Sequence, residues 1–140
     1  GLEMMQRARE AVGEDTRLIG VTQLTSTNQR MLNNELGIPG TVEASVLHYA
    51  QMAKKANLAG VVCSPLEVAT IKEVCGKDFL AVTPGVRPRG SATQDQKRTM
   101  TPSEALRAGS DYLVIGRPIL ASPDPNGAFL KIVEEIEVER

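Results

Sequence analysis

Four short apolar runs punctuate this chain: Leu18–Val21, Gly60–Cys63, Phe79–Val82 and Tyr112–Ile115. Each is continuous rather than alternating, the pattern of a strand covered on both faces. Helical spacing fills the intervals. Leu2, Met5, Ala8 and Val12 form a first stripe, and Val42, Val46, Tyr49, Ala53 and Ala56 predict a long amphipathic helix over 42–58. A short helix over 28–36, closed by Gly37, follows the polar turn Thr22 to Asn28. Ser64-Pro65-Leu66-Glu67 and Thr101-Pro102-Ser103-Glu104 are two capping boxes with Pro at the first helical position. They open helices that end near Gly76 and at Gly109. Asp124-Pro125 starts a last helix, with Phe129, Ile132, Val133 and Ile136 facing inward. The order is a helix and then four strand–helix units, which right-handed crossovers assemble into a parallel sheet.

Two architectures fit that order. One is a small doubly wound sheet; the other is the second half of a (β/α)8 TIM barrel, whose usual length is roughly 250 residues. An open nucleotide-binding sheet carries its glycine-rich loop after the first strand, and Thr22 to Asn28 contains no glycine. In barrels the common phosphate site lies after the last two strands, beside a short extra helix. Here the last two runs end in Pro84-Gly85-Val86-Arg87 and Gly116-Arg117-Pro118, and Pro118 to Ser122 can supply the extra segment. The half barrel is therefore the expected fold, with residues 1–140 as the C-terminal part of one barrel domain. No capping residue precedes Gly1 and the chain opens in mid-helix, so an N-terminal portion is expected to be missing.

Composition narrows the function. A net charge of −1 gives no global attraction to nucleic acid or an anionic membrane, so any anion site must be local. Two Phe, two Tyr and no Trp leave no base-stacking platform. No apolar run is long enough to cross a bilayer. Cys63 and Cys75 fit no metal spacing and are expected to be reduced packing cysteines of a cytoplasmic protein. His48, alone in mid-helix, reads as a helix-surface residue.

The candidate chemistry sits at the strand ends. Glycine permits close backbone approach, and arginine offers a fork matched to phosphate oxygens. Arg117 is either a bidentate phosphate clamp or a surface residue capping the neighbouring helix, and Arg87 has the same context. Thr25 and Ser26, after the first strand, either cap the next helix or bind a polar ring edge. Arg87 to Met100 is a long polar loop of the kind that is functional or disordered, and it holds Ser91 and Gln96. No nucleophile–base–orienter set is present, and no Lys or carboxylate stands at a strand's C-terminal end. From the residues alone, the chain binds a phosphate and lacks an evident catalyst.

Val21-Thr22-Gln23-Leu24-Thr25-Ser26-Thr27, Gly60-Val61-Val62-Cys63-Ser64, Val82-Thr83-Pro84-Gly85-Val86-Arg87-Pro88 and Val114-Ile115-Gly116-Arg117-Pro118 together resemble bacterial orotidine 5′-phosphate decarboxylases, in order and spacing, over essentially the whole chain. The resemblance implies a (β/α)8 barrel working as a cytoplasmic homodimer. It implies conversion of orotidine 5′-monophosphate to UMP without cofactor or metal, as the last step of pyrimidine synthesis. By matching position, Thr25 and Ser26 would contact the pyrimidine and Pro84 would line the pocket. Arg87, Gln96, Gly116 and Arg117 would belong to the substrate and phosphate site. The family's catalytic Asp and Lys, in its D-x-K-x-x-D motif, belong to the first half of the barrel; that motif is absent from these residues. The rival readings are a metal-dependent sugar-phosphate enzyme of the same superfamily and a half barrel that only binds phosphate.

Overall fold

A computed structural model describes residues 1–90 and 98–138. Helix α1 (Leu2–Ala11) leads into β1 (Ile19–Val21), α2 (Val42–Lys55), β2 (Gly60–Val62), α3 (Val68–Cys75) and β3 (Leu80–Thr83). Then come α4 (Pro102–Arg107), β4 (Tyr112–Leu113), the short α5 (Arg117–Leu120) and α6 (Pro125–Val138). The sheet order is β1-β2-β3-β4 and every pairing is parallel. A doubly wound sheet reverses its strand order at a switch point. This sheet never reverses, which is the progression of a barrel wall.

The two middle runs insert into one core, whereas the outer runs, expected to be covered on both faces, leave Val21, Tyr112 and Val114 exposed among the described residues. Val46, Ala50 and Ala53 of α2, which ends at Lys55 rather than at 58, and Ala56 just beyond it pack with Val61, Cys63, Val68, Ile71, Cys75, Phe79 and Ala81. Leu2 and Met5 of α1 close the edge of that cluster as half-buried side chains. Thr41 caps α2 by accepting from the Ala44 amide at 3.0 Å. Gly60 sits where β2 crosses β3 most closely: a Cβ there would lie 2.2 Å from the Leu80 carbonyl oxygen. Below the sheet, Asp111 accepts from Lys72 Nζ and from the Ala81 amide, both at 2.7 Å, and so joins α3 to β3 and the start of β4.

Several elements differ from expectation. The third strand runs one residue later than Phe79–Val82, because Phe79 is a core side chain ahead of the ladder. The fourth is only two residues long, extended by one hydrogen bond from Val114 N to Thr83 O at 2.9 Å. The segment 28–36 forms a π-helical turn, Met31–Glu35, built around the fully buried Leu32. Phe129 does not face inward. It is 53% exposed while Ile132 on the same stripe is buried, because nothing among the described residues covers that end of α6. The expected segment after the last strand is present as α5. Among the described residues, no helix is long and apolar enough to cross a membrane.

Candidate functional site

Parallel strands put all their C-terminal ends on one rim, and the sequence candidates fall there. Thr83 pairs with Leu113 in the β3–β4 ladder. Arg87 and Arg117 each follow four residues later, so they leave the same end of adjacent strands. The turn after β3 depends on Gly85, whose φ of 78° lies in the left-handed region that glycine tolerates. Beneath it, the fully buried Thr83 hydroxyl lies 3.1 Å from Ser110 Oγ and 3.3 Å from the Tyr112 carbonyl. Pro84 above it is half-buried.

The two arginines differ. Arg87 is buried, and its Nη1 donates to the Val86 carbonyl at 2.9 Å. Its amide donates to Met100 O at 2.9 Å, beside an isolated parallel bridge between Val86 and Met100. Part of its fork is thus turned onto its own backbone, a placement the residue pattern did not anticipate. Arg117 is exposed and opens α5, directly after Gly116. A Cβ on Gly116 would meet no heavy atom within 4 Å, so packing does not demand the glycine and the space beside it is open. Gln96 and Ser91 lie outside the described residues.

After β1, Thr25 is buried and Ser26 half-buried. Asn28 caps the following helical turn, accepting from the Met31 amide at 2.9 Å. The turn itself closes through Thr27 N to Leu24 O at 2.9 Å. Just before that turn, Thr22 Oγ1 donates to Val62 O at 2.9 Å and Gln23 Nε2 to Ser45 Oγ at 3.1 Å.

Two residues at this rim escaped sequence reasoning. Glu67 was assigned only to a capping box, and that box is present: its Oε2 accepts from the Ser64 amide at 2.9 Å. Its other oxygen forms an ion pair with Arg98, near the end of the Arg87–Met100 loop. Burial pulls the Arg98 guanidinium below its ordinary pKa. Burial also pushes the nearby Cys63 thiol up to about 12, with Arg98 opposing. A neutral, enclosed thiol is no nucleophile at ordinary pH, which fits a packing cysteine. The one available signal for Glu67 was its place directly after a buried strand end. His48 is exposed, as expected. Among the described residues, no group of three His, Cys, Asp or Glu side chains could hold a metal ion.

Fold and rim define the class: a four-strand sector of a (β/α)8 barrel, with its polar residues at the mouth. Residues 1–132 match the family described as Orotidine 5′-phosphate decarboxylase / HUMPS. The chain belongs to that family. It is 50% identical over 135 residues to the orotidine 5′-phosphate decarboxylase of Streptococcus suis, covering 96% of this chain and 58% of the relative. It is 53% identical over 129 residues to that of Streptococcus uberis, covering 92% and 56%. Among solved structures, orotidine 5′-phosphate decarboxylase from Lactobacillus acidophilus superposes with a TM-score of 0.78 at 37% identity, over 97% of this chain and 59% of its own. An uncharacterized conserved protein from Geobacillus kaustophilus gives 0.75 at 40%, over the same shares. The chain therefore spans somewhat more than half the length of the relatives it matches.

Proposed function

We propose that this chain is the phosphate- and pyrimidine-binding portion of an orotidine 5′-phosphate decarboxylase, converting orotidine 5′-monophosphate to UMP and carbon dioxide. The observation that carries the reading is about 50% identity to a curated decarboxylase across nearly the whole chain. The arginine-bearing ends of two adjacent strands agree with it. Arg117, Gly116 and Arg87 serve the phosphate with Gln96, while Thr25, Ser26 and Pro84 serve the pyrimidine. The lysine and aspartates that act on the reacting carbon come from the first half of the barrel, and no cofactor takes part. The complete enzyme works as a homodimer in the cytoplasm.

In this reading the chain contributes binding energy remote from the reacting carbon. Such energy raises turnover only where the grip also favours the closed, water-excluded state. The test joins residues 1–140 behind the first half of the Streptococcus suis relative and follows decarboxylation by ultraviolet absorbance. Turnover is expected of the joined protein and not of residues 1–140 alone. A charge-assisted bond to phosphate is worth roughly 1.5–3 kcal/mol. Arg117→Ala should therefore lower kcat/KM for the nucleotide by about tenfold to a hundredfold, and for orotidine hardly at all. Equal losses on both substrates refute the clamp. Preference for a pentose phosphate over UMP would assign the chain to the sugar-phosphate alternative.

A further inference from the structure

The Arg98 guanidinium joins the loops after β1 and β2. Its Nη2 donates to the Leu24 carbonyl at 2.9 Å, the same oxygen that accepts the Thr27 amide at 2.9 Å. One carbonyl with two donors thus closes the turn that presents Thr25 and Ser26. The other arm of the fork pairs with Glu67, whose second oxygen holds the Ser64 amide. Ser64 Oγ in turn donates to the Arg98 carbonyl at 3.2 Å. Two residues on, Met100 O accepts the Arg87 amide, so the Arg98 backbone belongs to the segment that returns over β3. Three rim loops meet in this one side chain.

The burial of the pair requires explanation. Arg98 and Glu67 side chains are 14% and 7% exposed. The equivalent glutamate of the other capping box, Glu104, serves its cap while exposed to solvent. Capping therefore does not need a buried carboxylate, and burying an ion pair is seldom a gain in stability. A planar fork does something a cap cannot: one arm hydrogen-bonds the Leu24 carbonyl while its charge faces Glu67.

Building on the function proposed above, we propose that Arg98 is a positioning residue, oriented by Glu67, that locks the Thr25–Ser26 turn and ties it to the loop after β3. Its role is to fix the base-binding turn rather than to touch the substrate.

The joined protein described above provides the test, with Arg98→Met, Arg98→Lys and Glu67→Gln variants. The readouts are urea midpoint, affinity for UMP and for uridine, and hydrogen–deuterium exchange of the peptide spanning residues 22–28. Lysine can keep the charge pair with Glu67 but cannot also span to Leu24. Arg98→Lys should therefore restore much of the urea midpoint lost in Arg98→Met, yet leave exchange of the turn at least tenfold faster than in the parent. Uridine, which lacks phosphate, should bind about tenfold more weakly to both Arg98 variants. Uridine affinity within twofold of the parent in Arg98→Lys overturns the proposal, whatever happens to stability. Should Arg98→Met fail to fold, the lysine and Glu67→Gln variants decide alone. If the parent neither turns over the nucleotide nor binds UMP, the assigned function fails, and the exchange readout still judges the lock.

Discussion

Two glutamates in nearly identical motifs, Ser64-Pro65-Leu66-Glu67 and Thr101-Pro102-Ser103-Glu104, should respond very differently to the same conservative change. Both accept a backbone amide at 2.9 Å from the capping residue, and a glutamine keeps an oxygen for that bond. At Glu104 the change removes only an exposed charge near a helix start, worth under about 0.5 kcal/mol after solvent screening. At Glu67 it leaves the Arg98 guanidinium without its counter-ion in a site where the pair is 14% and 7% exposed. Breaking a buried pair from one side costs about 3–5 kcal/mol. The retained amide oxygen offsets part of that, so about 2–3 kcal/mol is expected. With a urea slope of about 2 kcal/mol per molar, the unfolding midpoint should fall by about 1 M for Glu67→Gln and by under about 0.3 M for Glu104→Gln. Far-UV circular dichroism through a urea titration measures both. Added salt should shrink the small effect and spare the large one, because a buried pair is poorly screened. Equal midpoint shifts would refute the reasoning, since they would mean that the Arg98 contact contributes nothing.

Other outcomes follow from the same structure. Gly60→Ala should destabilise by about 3 kcal/mol, despite the usual benefit of replacing a strand glycine, because its Cβ would lie 2.2 Å from a backbone oxygen of β3 and both strands must shift; a neutral or stabilising result in the urea titration contradicts that close approach. The buried Cys63 thiol has its pKa raised from 9.0 to about 12. Below pH 9 the thiol is neutral in both states and costs nothing. As pH rises from about 9 to about 12, the unfolded chain ionises there and the folded chain does not, so stability falls by up to about 1.4 kcal/mol per pH unit. Cys63→Ala should flatten that alkaline decline, which urea titrations at several pH values will measure. Glu104 shifts the opposite way, its carboxyl held low first by the Thr101 backbone amide; its stabilisation is present above the ordinary carboxylate range and disappears as pH falls through the depressed value, and Glu104→Gln should remove that acid sensitivity.

Much of the scaffold was legible because local signals agreed with the packing. Continuous apolar runs became parallel strands, both capping boxes formed, and the α2 stripe supplied Val46, Ala53 and Ala56 to the core. The rim positions of Arg87 and Arg117 followed from strand polarity alone. What stayed hidden depends on neighbours distant in sequence. Phe129 occupies the proper stripe of α6, yet among the described residues it is exposed. Arg87 reads like Arg117, yet backbone geometry folds its Nη1 onto the Val86 carbonyl. The Glu67–Arg98 pair joins residues with no shared helix face or strand register, so no periodicity announces it. A capping glutamate that is buried differs from one that is exposed only in three dimensions.

The site's division across the sheet explains why such a link is useful. Thr25 and Ser26 leave β1, while Arg117 leaves β4, three inter-strand spacings away or about 14 Å. Arg98 nonetheless connects the β3 return to the β1 turn, a step of about 10 Å, because its own backbone is held over β2 by the Ser64 hydroxyl. The bridge thus proceeds loop by loop: Met100 to Arg87 over β3, Ser64 and Glu67 to Arg98 over β2, and Arg98 to Leu24 over β1. A ligand that orders the β3 return would, through this chain of contacts, also order the Thr25–Ser26 turn. In the proposed function, a grip on phosphate would reach the Thr25–Ser26 turn through these contacts, and binding energy remote from the reacting carbon aids turnover where it also favours the catalytic state.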